Sequence, residues 1–484
     1  MTEPKKPFHD DPFPEVFGNA TDAVVSADGR WLAVSSVLHE LSRVVVYRTA
    51  DLSCAQVATV AMETDTMAFH PTLPLLAVGF DNGDGYMREG SLVLLEPGSG
   101  RRVDVPSPDW GVELLRWTDP RTLELTLCAM YDGSTIERAS VDLVREDWLG
   151  LAPDALALPS VDVPLLDPDA PLPHPDREPA PVVLRALAER VGRRYDGRGG
   201  VRDVAGLRDG RVLATRRDTA LECWSPDGEL LWSVPAPSPS PGTRIVVAVG
   251  ERTARVAVPG PGRGDRTDFP LVDLADGTVL ETCSVPFPAA LSVRADGVWA
   301  AGDSADRTYD KEPPAPGTRI FAPDGTPLAT AHAPALGELV PLDARHCPEL
   351  LFTRRRHRDV VALDPRSGAE RRLFTADEAL YRAVYVSDAA GPGLVHTGGG
   401  LVRRTFPAGE VVWRRPLDAV VAALDARDGV VHALCEDDTL VSCDAADGTV
   451  LERRPLPPYG KLSLHAAPDG TVLVGTVAGQ ILRY

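Results

Sequence analysis

One short phrase constrains this chain more than any other feature: an apolar strand, an Asp-Gly turn, and a second apolar strand. Residues 439–452 (TLVSCDAADGTVLE) state it most cleanly. A tight reversal needs positive φ, which Gly adopts freely and Asp tolerates. The phrase returns at 223–232 (CWSPDGELLW), 272–281 (VDLADGTVLE), 320–329 (IFAPDGTPLA), 362–371 (ALDPRSGAER) and 404–413 (RTFPAGEVVW), with a weaker copy at 94–103 (LLEPGSGRRV). A second phrase alternates with it, at 22–36 (DAVVSADGRWLAVSS), 203–215, 291–302, 422–434 and 464–475, and with a Pro-rich turn at 66–80.

Two phrases in alternation make units of four antiparallel strands. Between turn glycines the spacing runs from 49 residues (Gly228 to Gly277) to 39 (Gly409 to Gly448). That brackets the roughly 40–45 residues of a propeller repeat. Two-helix solenoids have a similar period, but the short Val, Leu and Trp runs beside each turn read as strands. Units begin near Ala23, Thr66, Val112, Asp203, Arg244, Leu291, Glu338, Arg382, Ala422 and Leu462. Three N-terminal units alone cannot close a ring. The expectation is therefore an all-β chain, one large β-propeller of eight to ten four-stranded antiparallel blades across 1–484. The last unit, 462–484, supplies only three strands. Phe13–Gly18, within the N-terminal segment 1–20, is expected to close it, because an open edge exposes unpaired backbone groups.

Residues 150–200 interrupt the repeat. The Pro-rich stretch to about residue 180 suits neither sheet nor helix, whereas 181–195 (PVVLRALAERVGRRY) predicts an amphipathic helix with Leu184, Leu187 and Val191 on one face. This reads as an insertion that packs on a propeller face or bridges to a partner. Thr375 and Glu378 form a capping-box pattern that predicts a one-turn helix.

A hydrophobic content of 44% with 25% charged residues is that of a soluble globular protein. The net charge of −20 argues against a nucleic-acid partner, whose footprint should be basic. The N-terminus lacks the apolar core of a secretory signal, and no stretch approaches the ~20 apolar residues of a membrane helix. The seven cysteines are odd in number and sit mostly in apolar strand contexts, so buried free thiols and a cytoplasmic location are expected. Scarce Lys beside abundant Arg, Ala, Asp, Gly and Pro reads as bacterial coding bias.

The units resemble the WD-repeat and quinoprotein-like propeller superfamily. TMAFHPTLPLLAVGF followed by SLVLLEPGSGRRV looks like a WD-repeat blade, while 359–372 (DVVALDPRSGAERR) and 221–234 (LECWSPDGELLWSV) look more quinoprotein-like. In the latter version a Trp near the blade's end docks on a neighbour, and Trp232 and Trp413 hold that place. No Trp-Asp or Gly-His pair occurs, so the hydrogen-bond network of eukaryotic WD-repeats is absent, and no adjacent Trp or Cys pair suggests a quinone. The resemblance covers nearly everything except 150–200 and implies a non-catalytic interaction platform without a cofactor.

Local motifs for chemistry are missing. There is no Gly-x-Ser-x-Gly elbow, no HExxH and no CxxC. Two acidic loops, 81–89 and 303–312, offer Asp81, Asp84, Asp303, Asp306 and Asp310 as candidate metal ligands, although neither follows the EF-hand register. One dense basic run, 353–361, offers Arg354, Arg355, Arg356 and Arg358 as a candidate anion contact on one face. The expected function is a non-enzymatic scaffold binding another protein through loops on one propeller face, with no nucleic acid and no membrane. The alternative is a metal-dependent, lactonase-like hydrolase at the channel mouth. The channel lining decides between them: three or more converging His, Asp or Glu favour the enzyme, an apolar or Arg-capped plug the scaffold.

Overall fold

A computed structural model describes residues 8, 11–16, 20–38, 41–82, 89–107, 110–131, 135–152, 155–158, 165–167, 172, 177–195, 197, 199–216, 219–236, 242–260, 266–287, 289–303, 317–331, 339–342, 344–354, 357–457 and 460–484. Their strands form ten sheets, nearly all of antiparallel neighbours in chain order. The ten repeat units of the sequence are these ten sheets. By their contacts the residues divide into two compact units, one of 1–10 with 199–484 and one of 11–198.

The larger unit contains seven sheets. Blade 1 is Asp203–Gly206, Val212–Arg216, Thr219–Trp224 and Leu230–Pro235. Blades 2, 3 and 4 begin at Arg244–Val247, Ala289–Val293 and Val340–Pro341; blades 5, 6 and 7 take their main inner strands from Ala383–Asp388, Val421–Arg427 and Lys461–Ala466. Middle strands such as Thr219–Trp224 are buried on both faces, because each sheet is covered by a neighbour on either side. That is why they read as unbroken apolar runs. Outermost strands such as Leu230–Pro235 are largely exposed.

The ring shuts after seven blades. The inner strand of blade 1 packs on that of blade 7, with Val204 and Ala214 in one core with Ala467 and Leu473. The Val201 amide donates to Thr476 O at 2.9 Å, and Ser463 Oγ donates to Val201 O at 3.1 Å. Blade 7 has three strands, and its outer edge is met by the N-terminal segment: the Phe8 amide donates to Ile481 O at 3.2 Å. The predicted closing stretch was Phe13–Gly18, and the structure corrects its register. Phe13 and Val16 lie in the core of the smaller unit, against Tyr47 and Tyr195, while Phe17 and Gly18 lie outside the described residues. The single-ring expectation counted ten units without a signal for where the ring shuts.

Adjacent blades dock an aromatic on a turn glycine. Trp232 of blade 1 lies against Gly277 of blade 2, where a Cβ would come within 2.7 Å of the indole, and Gly277 also has φ +82°. Trp413 of blade 5 covers Gly448 of blade 6 in the same way, and its Nε1 donates to Ala445 O at 2.9 Å. Phe374 covers Gly409. Phe8 takes the equivalent place beside Gly228 and edges onto Trp224. Its position thus completes blade 7 both by backbone pairing and by docking.

The smaller unit has three consecutive sheets, starting at Ala20–Val25, Glu63–Phe69 and Gly111–Asp119. Its first sheet shows the period of two: Ala33, Val44 and Val46 face the second sheet, while Leu32, Val34, Val45 and Tyr47 face the other way. The helix α1 (Ala180–Arg190) covers that second face with Leu184 and Leu187 buried, as the sequence predicts. On the third sheet Leu123, Leu125 and Leu127 join the core with Trp148 and Leu151, whereas Glu124 and Thr126 alternate onto the opposite face. Leu165, in the Pro-rich stretch, makes a single antiparallel bridge to Ala139 where a fourth strand would lie. Among the described residues no helix is long and apolar enough to cross a membrane, which says nothing of strands.

The one-turn helix predicted at Thr375 does not form. Thr375 is still the last residue of Glu370–Thr375, its Oγ1 donating to Asp359 at 2.6 Å, and Glu378 pairs with Arg404 instead. Cross-strand partners outcompete the local cap.

Candidate functional site: the plugged channel of the ring

The inner strands of the seven-blade ring surround its axis, so side chains distant in sequence meet there. Between the first two strands of blade 4 the chain makes an excursion. Ala344–Arg345 pairs in parallel with Ala383–Asp388 and becomes a fifth, innermost strand of blade 5. This two-residue strand puts Arg345 into the channel. His346 follows at φ +65°, a left-handed conformation that a non-Gly residue adopts at a cost.

Arg345 spans three blades. Its Nη2 donates to Asp203 Oδ1 of blade 1 at 2.9 Å, its Nη1 reaches Asp425 Oδ2 of blade 6 at 3.3 Å, and Nη1 also contacts His465 Nδ1 of blade 7. Each aspartate is a strap between neighbouring blades as well. Asp203 Oδ2 accepts from the Ile245 amide of blade 2 at 2.8 Å, with Arg244 Nη1 at 3.3 Å, while Oδ1 accepts from its own neighbour Val204 at 3.0 Å. Asp425 of blade 6 repeats the arrangement two blades away, taking the Ala466 amide of blade 7 on Oδ2 and the Ala426 amide on Oδ1, each at 2.9 Å. His465 Nδ1 stands 3.0 Å from Asp425 Oδ2.

Asp425 is fully buried. Burial alone would raise its carboxyl pKa, but Arg345, His465 and the Ala466 amide together hold it well below the usual carboxylate range. Burial pushes the His346 imidazole below its ordinary value. All four oxygens of the two carboxylates therefore already accept hydrogen bonds, and one of the carboxyls resists protonation.

The plug separates two mouths. At the end where inner strands begin, a cavity of about 120 Å³ is lined by Arg202, Asp203, Arg244, Arg345, Arg382 and Ser463, among others. At the end where they finish, one of about 160 Å³ is lined by Ile245, Val246, Val247, Val293, His346 and His465. Around the arginine mouth the blade-linking segments expose Tyr381 (70%) and Val420 (65%).

The candidate residues read from sequence lie elsewhere. Arg354 ends Leu350–Arg354 and pairs with Glu370 at 2.6 Å, Arg358 is exposed, and Arg355 and Arg356 lie outside the described residues. Asp81 is buried in the smaller unit, where Cys128 Sγ approaches its Oδ2 at 3.4 Å. Asp303 ends Trp299–Asp303 in the ring; Asp84, Asp306 and Asp310 lie outside the described residues. Among the described residues no three His, Cys, Asp or Glu are grouped to hold a metal. Sequence reasoning missed Asp203, Asp425 and Arg345. The two aspartates do sit at related places, each opening or filling the first strand of its unit, and that recurrence was the available signal.

No protein-family model matches this chain. No curated protein matches it either. Among solved structures it is similar to the WD40 β-propeller domain of Doa1, at 14% identity and a TM-score of 0.43, over 59% of this chain and 92% of that one. It is also similar to the computationally designed Ika8 protein, at 11% identity and a TM-score of 0.41, over 87% of this chain and 96% of that one. The sheets described above define the class: an all-β protein of propeller blades.

Proposed function

We propose that this protein is a non-enzymatic scaffold that binds another protein through the ring face around the arginine mouth, in the cytoplasm of a bacterial cell. The observation that carries the reading is the engagement of every oxygen of Asp203 and Asp425 by Arg345, Arg244 and main-chain amides. A hydrolase at the channel would need a carboxylate with a free lone pair to hold a metal or to take a proton from water. Asp203 accepts two hydrogen bonds on each oxygen, Asp425 accepts on both of its oxygens, and these bonds tie blades together. A rigid ring presents its linking loops preorganised, so that little ordering entropy opposes binding. Tyr381 gives that face an exposed aromatic of the kind on which interface energy concentrates, and Val420 adds exposed apolar surface. All seven cysteines are free thiols, which fits a reducing compartment.

The test is affinity capture of the tagged chain from its own lysate, read by mass spectrometry and by metal analysis. A stoichiometric partner that is retained by the parent chain and lost from Tyr381→Ser/Val420→Asp supports the scaffold. Stoichiometric metal without a partner would overturn it in favour of the hydrolase.

A further inference from the structure

We infer that a cavity of the smaller unit is a binding site for a neutral saccharide. The cavity, of about 440 Å³, lies beside Gly111–Asp119, the inner strand of the third sheet. That volume falls within the roughly 300–1,000 Å³ of small-molecule sites. Phe69, which ends the inner strand of the second sheet, and Trp117 give it an aromatic side. Trp117 is held in place: its Nε1 donates to Ala68 O at 3.2 Å, and its ring meets His70 and Trp148 edge-on, with centroids 4.5 and 4.9 Å away. Arg116, Glu124, Thr126 and Arg177 give the cavity its polar side.

The polar groups decide the ligand. Glu124 pairs across the strands with Arg116, and Thr126 with Leu114, so two consecutive pairs share one face of the sheet. Arg116 sets both Nε and Nη2 on a single oxygen, Glu124 Oε2, each at 2.7 Å. Glu124 Oε1 and Arg116 Nη1 have no partner among the described residues, which leaves an acceptor beside a donor. Thr126 is only 7% exposed, yet its hydroxyl has no partner among them either. A group so placed costs stability until water or a ligand completes it. Every charge of the lining is matched: Glu124 by Arg116, and Arg177 by Asp22, with Met67 O accepting from Arg177 as well. A charged ligand would enter without a counter-ion and lose its hydration, so the site suits a neutral one. A sugar hydroxyl both donates and accepts, which is what Glu124 Oε1 beside Arg116 Nη1 requires. Thr126 and Glu124 stand roughly 7 Å apart along their strand, so they engage hydroxyls on opposite sides of a pyranose ring, whereas a flat nucleobase edge engages one pair at a time. The C–H face of the same ring packs on the electron-rich face of an aromatic side chain. This site lies within one unit and does not rest on the scaffold reading.

The test is a saturation-transfer NMR titration of the full-length protein with D-glucose, D-galactose, D-mannose and N-acetyl-D-glucosamine, with D-glucuronate and adenine in parallel. Saturable binding of at least one neutral sugar is expected. Its affinity should fall about tenfold or more in Thr126→Val and in Arg116→Gln/Glu124→Gln, the loss of one or two hydrogen bonds to the ligand. No saturable binding of any of the four sugars, a smaller loss in either variant, or a preference for glucuronate or adenine would overturn the assignment. Thr126→Val alters a buried position, whereas the Arg116–Glu124 pair lies at the surface, so the second variant keeps the test decisive if the first fails to fold. A melting temperature unchanged from the parent separates a lost site from a lost fold.

Discussion

The two units solve the same problem by different means. A propeller-type sheet is apolar on both faces, and each face needs a cover. In the ring, seven blades cover one another and no sheet face is left over, provided the first and last blades meet. In the smaller unit three sheets leave two end faces. One is roofed by α1 through Leu184 and Leu187; the other carries Glu124, which pairs with Arg116 at 2.7 Å, and Thr126. Ends capped by a helix or made polar are how open repeat arrays terminate. Closure stabilises the ring without a cap, and its weak points are the plug and the join.

The largest expected effect comes from the plug. Arg345→Met leaves Asp203 and the fully buried Asp425 without their shared cation, which should cost about 3–5 kcal/mol. In guanidinium unfolding the ring transition should move to lower denaturant. A transition belonging to 11–198 should stay in place. Leu184→Ala is the converse: it opens a cavity under α1, costs about 3 kcal/mol, and should shift only the smaller unit's transition, read by Trp117 and Trp148 fluorescence. If both variants moved both transitions equally, the two-unit comparison would fail.

A smaller loss, about 2–3 kcal/mol, is expected for Phe8→Ala, because Phe8 packs at one edge of the ring. Phe13→Ala should leave the ring transition unchanged, which separates the observed closing residue from the one expected from sequence. The last effect is one of pH dependence. Burial lowers the His396 imidazole in blade 5 to about 4, with Arg404 acting in the same direction. The unfolded chain takes up this proton near pH 6.5 and the folded ring does so only near its lowered value. The stability associated with His396 is thus fully present above about pH 6.5 and is lost as pH falls towards 4. A His396→Asn variant should show a flatter stability profile over that interval, measured by urea melts.

Much of this architecture was legible. Asp-Gly turns set the strand ends, their spacing set the unit length, and the predicted unit starts fall within a few residues of the ten sheets. Trp232 and Trp413 were also legible as docking residues. The join was not, because the polar N-terminus contains two apolar spots, Phe8 and Phe13, and only the neighbour's glycine distinguishes them. The plug was hidden for a plainer reason: a two-residue strand has no periodicity to detect. Asp203 and Asp425 sit inside repeat phrases where an aspartate reads as turn chemistry, and their partners are over 40 residues away in sequence. Long-range ion pairs leave no local pattern.

The most direct test is a double-mutant cycle between Arg345 and Asp425, built from Arg345→Met, Asp425→Asn and the double variant, by equilibrium denaturation of the ring. A guanidinium that ties blade 6 to the plug predicts a coupling of about 2 kcal/mol or more, with the double variant more stable than the sum of single losses implies. A coupling below about 0.5 kcal/mol would mean that the two side chains act independently. The channel would then not be locked as described, and the argument against a reactive carboxylate in it would be lost.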